Sequence, residues 1–222
     1  MDLAEQPVAA AAAPTVANGR LLNLLDVIEK VFILGLFALM ASRVWQSVGS
    51  GGSWFNYLQL SAEALAVVLI LLRRRASELS LKPMDWALAV GATAAPLLVR
   101  PMAHLAPLAP IGVCAGLMLS GLLFQVIAKL TLRFSFGIAP ANRGLKVTGP
   151  YRIVRHPIYA AYLIGQSGFF LLNPTLYNAA IYGVGLGLQI CRIAAEERVL
   201  AHDKGFASFR AATPYRLIPG LY

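Results

Sequence analysis

Val147-Thr-Gly-Pro-Tyr-Arg-Ile-Val-Arg-His-Pro-Ile-Tyr-Ala-Ala-Tyr162 is polar and basic as far as His156, turns apolar after Pro157 and stays so to Leu172. Proline suits the first turn of a helix, where its missing N–H costs nothing, so His156-Pro157 reads as a helix entrance. A histidine, two arginines and a tyrosine are thereby gathered where an apolar helix meets the aqueous side. Basic and aromatic residues at such a level also serve as an interfacial collar of membrane helices.

The chain around this stretch is that of an integral membrane protein. Of its 222 residues 58% are hydrophobic and only 13% charged, and the mean hydropathy is positive, a balance that soluble domains do not show. The length suffices for about six helices of roughly 20 residues. A formal charge of +9 would suggest nucleic acid in a soluble protein; here it follows from the basic residues that orient membrane helices. Cys114 and Cys191 both lie inside apolar segments without ligand-spaced partners, so they read as small core residues and no metal site is expected. Residues 1–20 are Ala-rich, acidic at Asp2 and Glu5, and interrupted by Pro7 and Pro14. This is the pattern of a disordered tail rather than of a positively opened signal peptide.

Six apolar runs follow, over Leu24–Val48, Trp54–Leu72, Met84–Val99, Ala109–Leu132, Pro157–Leu172 and Pro174 to about Ala194. The third is short and broken by Pro96. If the N-terminus faces the cytoplasm, only Arg43 and Arg100 among the lysines and arginines fall on the outer side, which argues for six spans with both termini inside. Only Asn173-Pro174, a cap residue and a first-turn proline, separates the fifth run from the sixth. These two are expected to form a tight antiparallel hairpin. The architecture predicted is therefore all-α, a single membrane domain over residues 21–222 closed by a short cytoplasmic C-terminal segment.

Gln189, Arg192 and Glu196 fall at i, i+3 and i+7 on one helix face, with Glu197 about 100° round from Glu196. The hairpin returns this face to the level of Arg155, His156 and Tyr159, while Tyr159, Tyr162 and Gln166 form a facing stripe. Polar groups between membrane helices are costly unless they serve each other or a ligand; an Arg192–Glu196 ion pair is the plainest structural use. Glu63 is the only acid well inside a run, which makes it a candidate substrate-side residue. Phe206, Phe209, Tyr215 and Arg216-Leu-Ile-Pro-Gly-Leu-Tyr222 suit an amphipathic segment that lies on the membrane surface or folds back over a polar pocket.

The ordered set Gly149-Pro-Tyr-Arg-Ile-Val-Arg-His-Pro-Ile-Tyr159, Asn173-Pro174, Arg192 leading into Glu196-Glu197, and Tyr215-Arg-Leu-Ile-Pro219 resembles the isoprenylcysteine carboxyl methyltransferase family. The related phosphatidylethanolamine N-methyltransferases share much of it. The resemblance covers about the C-terminal third, and it departs from the usual motif in having Ala160 and Ala161 where a glycine commonly follows the tyrosine. It implies an S-adenosylmethionine-dependent methyltransferase whose cofactor sits in a cytoplasm-facing pocket over residues 133–222. Tyr151, Arg155, His156, Tyr159, Glu196 and Glu197 are then the cofactor-binding residues. Arg192 and Glu196 are the catalytic candidates, and Glu63 and Arg192 the substrate-binding ones. A guanidinium can fix an acceptor carboxylate in a planar fork, whereas an amine acceptor would need a base, with Glu196 or His156 nearest.

The expected acceptor is a membrane lipid or lipidated substrate, most like a prenylcysteine carboxylate. A phospholipid amine is the alternative. A sterol-reductase-type enzyme using NADPH and a non-enzymatic scaffold fit less well, the first because the chain is short, the second because His, Arg, Tyr and Glu converge at one depth. Alanine, leucine and arginine outweigh lysine, as in GC-rich bacterial genomes, so the bacterial inner membrane is the expected location.

Overall fold

A computed structural model of the chain describes residues 19–48, 54–102 and 105–222. The segment expected to be a disordered tail lies, up to residue 18, outside the described residues. Helices occupy all six apolar runs: α1 (Gly19–Val48), α2 (Trp54–Leu71), α3 (Pro83–Ala94), α4 (Ile111–Leu132), α5 (Pro157–Leu172) and α6 (Leu176–Leu200), followed by a short α7 (Phe206–Ala212). The one departure from an all-α chain is a two-residue ladder, in which β1 (Glu78–Leu79) pairs antiparallel with β2 (Ala141–Asn142). It ties the α2–α3 linker to the α4–α5 loop. Pro96 acts as anticipated: α3 ends at Ala94 and the chain continues as a 3-10 turn over Ala95–Leu98.

The surface is inverted relative to a soluble protein. Val31, Leu72, Ile111, Val113, Ile127 and Val184 point outward, whereas Glu29, Asp85, Lys129, Arg143, Arg155 and Arg192 are buried. Large apolar side chains facing out and charges facing in is the arrangement a hydrocarbon solvent selects. Among the described residues, α4 with its 3-10 extension, Ile111–Ser135, is the one segment long and apolar enough to cross a membrane, with Tyr57–Leu71 and Pro157–Leu172 as shorter apolar helices.

The α5–α6 connection is as short as expected, but its capping differs. Thr175, not Asn173, is the N-cap, its hydroxyl accepting from the Asn178 N–H at 2.9 Å. Asn173 instead accepts from the Met102 N–H at 2.8 Å. Buried Asn178 accepts from the Arg100 N–H at 3.0 Å and donates to the Arg100 carbonyl at 2.9 Å.

The tight hairpin is also corrected in one respect. Although α5 and α6 run antiparallel and meet again at their polar ends, α5 packs chiefly on α4, and α6 on α3. Glycine decides this. A Cβ on Gly121 would stand 2.6 Å from the Gly165 nitrogen, and one on Gly168 would stand 2.6 Å from the Cys114 carbonyl. Without a hydrophobic force between helices in lipid, such backbone-to-backbone approach is what selects a partner. Buried Ala161, whose carbonyl lies 2.8 Å from the Cβ position of Gly121, belongs to the same seam. The divergence of α5 from α6 leaves room for a cavity.

Candidate functional site

The residues of the opening motif reach their places through backbone chemistry. Gly149 holds φ +58, a left-handed conformation that favours glycine, and starts the 3-10 turn Gly149–Arg152 that buries Pro150 and Tyr151. The chain then passes through a bend at Arg155 to His156, and the N–H groups of these two residues donate at 2.9 Å to the carbonyls of Tyr215 and Arg216. The C-terminal segment thus folds back along the motif. Phe206 and Phe209 are buried with Tyr151, against Leu132, Leu145 and Leu200. Pro157 opens α5 as read from the sequence, and this frees the His156 ring to turn toward α6.

The adjacent acids of α6 then part company. Glu197 is clamped: Arg155 Nε donates at 2.8 Å to Oε1, and Arg216 Nε and Nη2 donate at 3.0 and 2.8 Å to Oε2. His156 Nε2 stands 3.2 Å from Oε1. Burial by itself would raise this carboxyl, but hydrogen bonds from His156, Arg216 and Arg155 outweigh it and hold Glu197 well below the usual carboxylate range. Arg155 also donates to the carbonyls of Thr213 and Pro214 at 2.7 and 2.6 Å. Glu197 therefore fastens the C-terminal segment to the motif.

Glu196 faces the other way. It accepts from the Tyr159 hydroxyl and from Arg192 Nε at 3.2 Å, with His156 Nδ1 3.6 Å away. Arg192 is more committed than the sequence suggested. Its Nη1 donates to Thr93 Oγ1 at 3.3 Å and its Nη2 to the Ile138 carbonyl at 2.8 Å, while its guanidinium lies over the Tyr159 ring at 5.0 Å. Every guanidinium nitrogen thus has a protein partner, so Arg192 as placed joins α3, α6 and the α4–α5 loop.

That loop is fixed from a side the sequence did not indicate. Buried Glu29 of α1 accepts from the Ile138 and Ala139 N–H groups at 2.6 and 3.2 Å. It pairs with Arg73 at 2.6 Å and Arg143 at 3.4 Å. Desolvation lowers Arg143 to about 10 despite the attraction of Glu29. Burial, then the charge of Glu196, raises Tyr151 and keeps its phenol neutral.

A cavity of about 510 Å³ runs between the helices, a size that suits small-molecule ligands. At one end its wall carries Tyr151, Arg155, His156, Tyr159, Arg192 and Glu196; Glu197 lies behind that wall. Along α5 the lining continues through Tyr162, Gln166 and Phe169, roughly 4.5, 10 and 15 Å beyond Tyr159 at 1.5 Å per residue. The far end is apolar, with Met40, Leu97, Met118 and Tyr182. Between the two ends stands Glu63, bonded by Gln59 and Gln125 at 3.2 and 2.9 Å and paired with Lys129 at 3.3 Å.

Lys129 had counted in the sequence as an orienting charge at the cytoplasmic boundary. The structure adds that its side chain is 0% exposed, because Glu63 on α2 supplies the counter-charge that lets an ammonium be buried. Gln125 and Lys129 at i and i+4 on α4, one helical face, were the available signal. Thr93 and the Ile138 carbonyl had none.

Residues 112–202, from α4 through the end of α6, match the isoprenylcysteine carboxyl methyltransferase (ICMT) family model. No curated protein matches the chain.

Proposed function

Since the stretch from α4 to α6 carries the pattern of the isoprenylcysteine carboxyl methyltransferase family, a family of membrane methyltransferases, we propose that this protein is an S-adenosylmethionine-dependent methyltransferase. Its acceptor is lipid-like, and the reaction is most like carboxyl O-methylation of a prenylcysteine. The observation that carries the reading is the two-ended cavity. A polar, carboxylate-bearing end beside the Arg155-His156-Pro157 motif joins an apolar end lined from α1, α4, α5 and α6.

The donor set fits the cofactor. Glu196 supplies acceptor oxygens for an amino group or hydroxyls, and Tyr151, His156 and Tyr159 supply flat, partly apolar surface with polar edges. When bound, S-adenosylmethionine supplies an already electrophilic methyl group. What remains for the protein is to position the acceptor and exclude water. Tyr159 and Arg192 hold the Glu196 carboxylate in place, and Arg192 is held in turn by Thr93 and Ile138. The apolar end takes the acceptor's hydrocarbon, so that its polar head lies toward Glu63, Tyr162 and Glu196. A carboxylate acceptor requires no base.

One observation favours a second reading, methylation of a phospholipid amine. Glu63 and Glu196 both line the cavity and could hold an ammonium and receive its proton.

The cofactor-binding part is residues 133–222. We place six spans in the bacterial inner membrane with both termini in the cytoplasm, supported by the distribution of lysine and arginine.

Incubating the protein with methyl-labelled S-adenosylmethionine and native membrane extract separates the readings. Label that enters lipid-soluble product and is released by mild base as methanol identifies a methyl ester; base-stable label identifies an N-methyl product. No transfer and no binding, together with binding of a nicotinamide dinucleotide, refutes both in favour of a reductase.

A further inference from the structure

Among the cationic side chains that line the cavity, Arg143 is paired with Glu29, Arg155 with Glu197 and Arg192 with Glu196. His156 stands between the two adjacent acids. Lys146 also lines the cavity, yet among the described residues it has no carboxylate or other hydrogen-bond partner. It is half-buried. Its place is fixed rather than trailing: Leu145 packs against the Tyr151, Phe206 and Phe209 cluster, and on its other side the chain enters the turn at Gly149. The cavity is therefore charge-balanced by the protein at each of these positions except one.

We propose that Lys146 is the carboxylate anchor of the cavity, an assignment that rests on the methyltransferase reading. An ammonium with no protein counter-charge, carried on an anchored stretch of chain and on a wall shared with apolar groups, favours an anion that arrives with the ligand. An ammonium is a compact point charge with rotatable donors, suited to a single carboxylate. Two ligands of this reaction bring one: the α-carboxylate of the methyl donor and the carboxylate of the acceptor. Glu196 complements the first case, since a carboxylate and an ammonium on one cavity wall match the two charges of an α-amino acid. Arg192, already occupied by Glu196, Thr93 and Ile138, leaves the anion to Lys146.

The test uses the full chain in detergent, as wild type, Lys146→Gln and Lys146→Arg, with S-adenosylhomocysteine and its decarboxylated analogue measured by calorimetry. Losing one charge-assisted contact weakens binding by about 10- to 100-fold. If Lys146 holds the donor's carboxylate, wild type prefers S-adenosylhomocysteine by that factor, Lys146→Gln abolishes the preference, and Lys146→Arg largely keeps it. If it holds the acceptor's carboxylate, Lys146→Gln leaves S-adenosylhomocysteine affinity unchanged and raises the acceptor KM about tenfold or more. Unchanged affinity, preference and KM in Lys146→Gln overturn the assignment while leaving the methyltransferase reading standing. Failure of wild type to bind either nucleoside overturns both. Melting temperatures of the variants should match wild type, since Lys146 has no protein partner to lose.

Discussion

Replacing Glu197 by glutamine should loosen the C-terminal segment rather than act first on ligand binding. The carboxylate serves Arg155 and His156 on one oxygen and the Arg216 fork on the other, and its side chain is 9% exposed. Breaking a buried pair by removing one partner costs about 3–5 kcal/mol, because a buried charge is left uncompensated. Here the lower end applies. Arg155, 4% exposed, keeps the carbonyls of Thr213 and Pro214, and Arg216 is 31% exposed, so its share is screened by solvent. About 3 kcal/mol is the expected loss.

Thermal unfolding in detergent should show that loss as a lowered Tm, and trypsin should cut faster at Arg210 and Arg216. The pH dependence follows from the depressed folded pKa. The unfolded carboxyl titrates near 4.3, so the stabilisation is complete above that value and is lost as pH falls from about 5 toward the lower folded pKa. Wild type should lose Tm over that window and Glu197→Gln should lose less. Wild-type Tm and cleavage in Glu197→Gln, with reduced affinity for S-adenosylhomocysteine, would refute this reasoning and return Glu197 to the ligand.

Glu63→Gln should lower Tm by stranding buried Lys129, at a cost of about 3–5 kcal/mol, and the double change with Lys129→Met should recover most of it; measured on the same proteins, acceptor KM should move more than cofactor affinity. Arg192→Lys keeps the charge but loses the fork that joins Glu196, Thr93 and Ile138, so a double-mutant cycle with Glu196→Gln, read by Tm, should show coupling of about 1–3 kcal/mol; additive effects would separate the two residues. Gly121→Ala forces its Cβ against the α5 backbone, and thermal unfolding should show a loss of about 1–3 kcal/mol. Reporter fusions after Arg75, Asn173 and Tyr222 should read inside, outside and inside, and an inside result for Asn173 would remove one of the first four spans.

The sequence by itself determined what depends on local pattern. Apolar runs gave the helices nearly to the residue at Trp54, Leu132, Pro157 and Leu172, because an uninterrupted apolar run and a first-turn proline act within one segment. The motif residues Arg155, His156, Tyr159, Arg192 and Glu196 were legible as a group, since their spacing put them on facing helix ends.

Only the tertiary structure decided how they divide the work. Glu196 and Glu197 are neighbours in the chain, but the 100° step between them sends one to the cavity and the other to Arg155 and Arg216. Which partner each finds depends on where Tyr215–Tyr222 folds back. The glycine seam that pairs α5 with α4, the hold of Glu29 on the loop at Ile138, and the burial of Lys129 behind Glu63 all join residues far apart in the chain. No periodicity within a helix encodes such pairings; they follow from which backbones can approach closely and which buried charges must then be neutralised.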